Sequence, residues 1–262
     1  MPRLRERSSG TFGSPDSRIA FTPAGRGDYE TWDRYLLVDG KRAYNLGNAC
    51  QTCGFFFKRL EGANTSINVE HTANVLRTGI HSLSDTVVAE IGKGLPSDNY
   101  LSCLFETSVQ LVRPGDPEDY FVKEQVEQWG VDGFWDLPHD PRVAYYRIGE
   151  GNPRPDTKCF HFLIPMFPER WLEESVLSEY EDELERGGTP TAVAISILDV
   201  VGPAVKYTEN PYTEHWNYAH FLIDGHHKVA AARRAGKPIR LLSFLSLTQG
   251  ISTPEQVHQG LT

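Results

Sequence analysis

A chain of 262 residues with 39% hydrophobic and 23% charged residues is long enough to bury one large core or two small ones. Its formal net charge of -9, from 26 basic and 35 acidic residues, argues against a general nucleic-acid surface. No run approaches the roughly 18 apolar residues a membrane helix needs.

The opening MPRLRERSSGTFGSPDS has basic residues but no apolar stretch after them, so it is not an export signal, and residues 1–28 are expected to be a disordered tail. Four cysteines without such a signal point to the reducing cytoplasm rather than to disulfides. Tyr35 to Leu46 is an apolar run broken at Asp39-Gly40, the strongest short hairpin signal in the chain. It leads into Cys50-Gln51-Thr52-Cys53, ahead of Phe55-Phe56-Phe57. A C-x-x-C pair turns both sulfurs toward one point and suits a tetrahedral zinc site, a redox dithiol, or two inert thiols packed by aromatics. Zinc needs two further ligands; Cys159 and His161 form the other compact thiol–imidazole pair, with His71 and His81 as competitors.

Leu83 to Glu106 reads as helix interrupted at Gly94-Leu95-Pro96-Ser97, with Ser84 or Asp85 as N-cap. A strand from Ser108 to Val112 and a helix from Tyr120 to Trp129, closed by Gly130, follow. Asp132 to Asp140 is an aromatic, acidic loop, and Val143 to Ile148 a strand. Gly149 to Asp156 holds the densest cluster of breakers. It is taken as a boundary between an N-terminal α+β domain, residues 29–150, and a C-terminal domain, residues 151–262.

In that second part Cys159 to Pro165 is strand-like, and Glu169 to Arg186 reads as one amphipathic helix. Its acidic face, with Glu173, Glu174 and Glu179, is read as solvated. Ala192 to Val200 is a central strand. The connection Gly202 to Asn217 is long enough to act as a substrate loop and carries Lys206, Glu209, Glu214 and His215. Ala219 to Ile223 is a short buried strand, Asp224-Gly225 breaks it, and His226-His227-Lys228 opens an alanine- and arginine-rich helix that stops at Gly236. Ile239 to Phe244 resumes strand character. The start of such a helix presents unpaired N–H groups and the positive end of its dipole, which suits a phosphate. From Gly225 to Pro254 there is no Asp or Glu, while Lys228, Arg233, Arg234, Lys237 and Arg240 crowd together. A basic patch on an acidic chain suits a small anion.

The apolar strand, Asp224-Gly225-His226-His227-Lys228, and the small-residue helix ending in Ala235-Gly236-Lys237-Pro238-Ile239 resemble the signature of the ParB/sulfiredoxin-like superfamily, over roughly residues 169–248. The resemblance implies an α+β fold whose C-terminal part is a mixed sheet with helices that binds nucleotide phosphates at the turn, beside an N-terminal α+β domain of unknown type. Sulfiredoxins carry a reactive cysteine directly before the motif histidine, where this chain has His226. Partition proteins follow this domain with a helix-turn-helix module, whereas only a short tail follows Phe244 here. What the resemblance leaves is the superfamily's kinase branch, similar to free-serine kinases, its nucleases and its non-catalytic binders.

The favoured expectation is a phosphotransferase using ATP or ADP with Mg²⁺ on a small polar metabolite. Its phosphates would rest on Gly225, His226, His227, Lys228 and Arg233. Asp224, His226, His227 and Lys228 would act in catalysis, and Glu209 or Glu214 would serve the acceptor. The alternatives are a nucleotide- or partner-binding protein with a structural Cys50/Cys53/Cys159/His161 zinc site, and a nuclease.

Overall fold

The computed structural model describes residues 1–22, 33–64, 73–134, 136–203 and 210–261. The fold is α+β and is built around one eight-stranded mixed sheet. Its strands are β1 (Arg3–Phe12), β6 (Asp98–Thr107), β7 (Gln110–Val112), β8 (Tyr145–Gly151), β9 (Thr157–Pro165), β10 (Thr191–Val201), β11 (Glu214–Asp224) and β12 (Ile239–Ser246). Their spatial order is β1-β6-β12-β10-β11-β9-β8-β7. Only β10/β12 and β9/β11 pair in parallel; the other neighbours are antiparallel.

The central strands are buried on both faces, which is why β10 reads TAVAISILDVV with little alternation of polarity. Alternate residues still serve different cores. Val193, Ile195 and Ile197 of β10 join Phe160 and Phe162 of β9 on one face, while Ala192, Ala194 and Leu198 join Cys159 and Leu163 on the other. The first face is covered by a four-stranded sheet, β2 (Ile19–Phe21), β3 (Asp33–Val38), β4 (Lys41–Asn48) and β5 (Lys58–Arg59), with α1 (Ala73–Thr78), α2 (Asp85–Gly92) and α3 (Glu124–Trp129). The second is covered by α4 (Glu174–Glu185), α5 (His226–Ala235) and α6 (Pro254–Gln259).

The sheet curls about this second core. Thr107 Oγ1, at the end of β6, donates to Ile148 O of β8 at 2.7 Å, and the Phe105 ring lies 6.1 Å from that of His161, four strands away in the sheet order. Gly149 and Gly151 let β8 approach Pro2 and Met1 so closely that a Cβ on either would fall within 2.7 Å of them.

Several expectations change. Arg3–Phe12 is not a tail but an edge strand along β6; its backbone pairs across nine residue positions while its side chains alternate between exposed and half-buried. The expected helix from Leu83 to Glu106 ends at Gly92, and Asp98–Thr107 is β6, an interior strand whose apolar residues fill both cores. Residues 149–156 are not a domain boundary: they end β8 and turn it into its partner β9 within one sheet. Glu169 to Arg186 is split into a 3-10 turn, Glu169–Trp171, and α4. Ser84 does cap α2 through Val87 N, and Gly130 closes α3 at φ 77°. Among the described residues no helix is long and apolar enough to cross a membrane.

Candidate functional site

Asp224 ends β11, and Gly225 then turns the chain into α5 at φ 93°. Glycine is required there on two counts: the backbone is left-handed, and a Cβ would lie 2.9 Å from both Cα and Cβ of Ala192. Gly225→Ala is therefore expected to cost about 1–3 kcal/mol. Urea unfolding of this variant checks the expectation, and an unchanged midpoint would contradict it.

The motif side chains mostly point inward. Lys228 is 4% exposed; its Nζ donates to Asp224 Oδ2 at 2.7 Å and to Thr191 O at 3.1 Å, tying α5 to both β10 and β11. His226 Nε2 accepts from Met166 N at 2.9 Å, and its ring stacks on Phe167 at 3.8 Å. His227 Nε2 accepts from Glu173 N at 3.0 Å. Burial pushes the His226 imidazole down to about 3, aided by His227, and lowers His227 against the pull of Glu173 and Asp224. Both rings are neutral near pH 7, so neither supplies positive charge. Arg233 is exposed in the last turn of α5, about 10 Å along the axis from His226. These residues hold the turn in shape, and the positive end of the α5 dipole lies at the same turn.

Beside the turn lies a cavity of about 250 Å³ that includes His226, Tyr146, Arg59, Arg142 and Arg170 in its wall. Arg142 and Arg170 are exposed and have no ion-pair partner among the described residues. Arg59 donates to Asn64 Oδ1, but its buried Nε has no partner. The one acid among the described wall residues, Glu169, is paired with Arg113 at 3.5 Å. Burial pushes the Tyr146 phenol up to about 12, helped by Glu169 and opposed by Arg233, Arg113 and Arg234, so the field around the cavity includes Arg233. The three wall arginines were not singled out by sequence. They come from β5, the 141–144 segment and the 3-10 turn before α4, so no local motif links them.

No protein-family model, curated protein or solved structure matches the chain. The ParB/sulfiredoxin-like resemblance rests on the motif and the elements around it.

The remaining expected site residues lie elsewhere. Glu214 and Asp224 begin and end an eleven-residue strand, so they are about 33 Å apart, and Glu214 cannot serve an acceptor at the turn. Glu214 is instead bound by Arg154 Nη2 and by Trp216 Nε1 at 2.8 Å. His215 is buried beside it, its Nδ1 2.7 Å from Tyr120 Oη. Lys206, Glu209 and His71 lie outside the described residues. Of the three acids singled out on the α4 segment, Glu174 pairs with Arg234 and Glu179 with Arg77, which leaves Glu173, whose N–H meets His227, beside the motif.

The four expected zinc ligands are not gathered. Cys50 and Cys53 sit beside α3 on the small-sheet side, where Thr52 O accepts from Trp129 Nε1 at 3.2 Å. Cys159 and His161 face the opposite core, across β9. His81 is exposed, and among the described residues no group of three or more His, Cys, Asp and Glu is placed to hold a metal. Within the pair, Cys53 is pushed up to about 12 by burial and by Cys50. Cys50 is lowered: burial opposes ionisation, but hydrogen bonds from Thr52 and Cys53 outweigh it. Cys50 Sγ lies 2.9 Å from Thr52 Oγ1.

Proposed function

We propose that the protein binds the phosphate groups of a nucleotide in the arginine-lined cavity beside the Gly225–Lys228 turn, and that it transfers phosphate from ATP or ADP to a small polar metabolite. The observation that carries the reading is the cavity wall itself. Arg59, Arg142 and Arg170 surround the space next to His226, and the single acid among the described wall residues, Glu169, is paired with Arg113. Planar guanidinium groups suit phosphate oxygens bidentately, and the start of α5 adds N–H donors nearby. The neutral His226 and His227 leave charge compensation to the arginines and to Mg²⁺ arriving with the nucleotide. Asp224 Oδ1 has no partner among the described residues and is the motif's acid available to that ion; its Oδ2 takes Lys228. Glu173, next to His227, is the carboxylate best located to orient an acceptor hydroxyl.

Calorimetric titration of ATP and ADP with Mg²⁺ tests the binding. The Arg142→Ala/Arg170→Ala double variant touches neither core, and it is expected to keep its melting temperature while losing roughly 10- to 100-fold in affinity. Equal affinity in wild type and variant would remove the cavity from the reading. Binding without nucleotide turnover in a mixed pool of hydroxyl and amine metabolites would leave a nucleotide-binding protein and remove the transfer.

A further inference from the structure

Four polar side chains run across the apolar core beneath α4–α6, one from each of four neighbouring strands: Ser243 (β12), Ser196 (β10), His220 (β11) and His161 (β9). They form a continuous chain. The two hydroxyls are 2.8 Å apart and lie 2.8 Å (Ser196) and 3.1 Å (Ser243) from His220 Nδ1; His220 Nε2 is 3.1 Å from His161 Nδ1. The rings of His161, Tyr218 and His220 are stacked nearly parallel, which fixes their orientation. Each nitrogen in this row is partnered except the last. His161 is 1% exposed, and its Nε2, turned away from His220, has no partner. A buried polar atom left in that state carries a desolvation cost that a partner removes.

His161 lies in the wall of a second cavity, of about 440 Å³, at the mouth of the curled sheet. Its other walls include Met1 and Leu4 on the β1 side, Phe105 of β6, Pro153 in the β8–β9 turn, and Gln259 and Leu261 at the end of α6. The volume is within the range of small-molecule sites; among the described residues no Lys, Arg, Asp or Glu side chain lines it, and the one charge brought to its wall is the amino group of Met1. We infer that this cavity is a binding site for a mainly apolar small molecule that presents one hydroxyl or carbonyl group to His161 Nε2.

The row behind His161 sets what that nitrogen can do. If a serine hydroxyl donates to His220 Nδ1, then His220 Nε2–H donates to His161 Nδ1, and His161 Nε2 carries a proton to donate. If the hydroxyl accepts from His220 Nδ1–H, both imidazoles reverse tautomer, and His161 Nε2 becomes an acceptor. The site therefore takes a carbonyl in one state and a hydroxyl in the other without any net charge. Burial, and for His161 also the neighbouring His220 and the positive charge of the chain's N-terminus, holds both imidazoles far below their ordinary range, so the row stays neutral near pH 7.

The test titrates full-length protein carrying ¹⁵N-labelled histidine with 1-naphthol and naphthalene. Expected is a shift of the His161 Nε2 resonance with 1-naphthol, and binding about 5–10-fold tighter than naphthalene. His161→Phe should abolish the preference for 1-naphthol over naphthalene. Should that variant not fold, the wild-type titrations decide alone. Equal affinity for 1-naphthol and naphthalene, or an Nε2 resonance unmoved at saturating 1-naphthol, would each overturn the inference. Nucleotide affinity is expected to be unaffected by saturating 1-naphthol, because the two cavities share none of their described wall residues.

Discussion

Acidification from about pH 7 to about pH 5 is expected to remove most of the protein's folding free energy. Four histidines, His161, His215, His220 and His226, are buried to 8% exposure or less. Burial holds His215, His220 and His226 at about 3, with Lys158 adding to the effect at His215 and His227 at His226; His161 is lowered well below the ordinary value. In the unfolded chain each would titrate near 6.5. The native pKa values are the depressed ones, so below about pH 6.5 the unfolded state binds more protons, and stability falls as pH drops toward the native values near 3. At about pH 5 each neutral imidazole costs roughly 2 kcal/mol, and the four together roughly 8 kcal/mol. Typical domains have only about 5–15 kcal/mol. Urea-unfolding free energies at several pH values measure the effect, and their slope gives the protons taken up on unfolding. A stability constant to about 1 kcal/mol between pH 7 and pH 5 would show that these imidazoles are not held neutral.

The parts of this fold that were legible in the sequence are those encoded by adjacent residues. Asp39 and Gly40 both adopt positive φ, 49° and 71°, so the two-residue turn between β3 and β4 is written in the dipeptide itself. The strand–turn–helix–strand unit from β11 to β12 was readable for the same reason, with Gly225 and Gly236 both left-handed at the two ends of α5. What failed were inferences about neighbours. Arg3–Phe12 has no apolar face of its own and is a strand only because β6 supplies its hydrogen bonds. The β6 run LSCLF carries no period to separate a doubly buried strand from a helix.

The candidate sites divide in the same way. The turn that shapes the first cavity is a local motif, but Arg59, Arg142 and Arg170 come from three separate segments. In the polar row each strand contributes a single Ser or His amid apolar neighbours, and only the sheet order places the four side by side. Cys159 and His161 were paired with Cys50 and Cys53 on composition. The period of two along β9 sends that thiol and imidazole to the core opposite the C-x-x-C pair.

Arg34→Met is expected to destabilise the protein by about 3–5 kcal/mol, because it strands a buried carboxylate. Asp199 lies in the central strand β10, and Arg34 in β3 reaches it with Nη1 at 3.1 Å and Nη2 at 2.5 Å. The two side chains are only 5% and 2% exposed. Arg34 also donates to Leu46 O and Gln249 O, and Asp199 accepts from Ile251 N at 2.9 Å, so one ion pair joins the small sheet, the main sheet and the segment after β12. With the guanidinium gone, Asp199 retains a single backbone donor in an apolar setting. Removing both charges is a different experiment: Arg34→Met/Asp199→Leu leaves no buried ion, and it is expected to recover most of the loss, since a buried pair only roughly offsets its own desolvation. Added salt should change the wild-type stability little, because the pair is shielded from solvent. Thermal and urea unfolding of the three proteins decides the point. A single-variant cost below about 1 kcal/mol would mean that apolar contact alone seats the small sheet on β10, and a double variant no more stable than the single would mean that the stranded carboxylate is not the source of the loss.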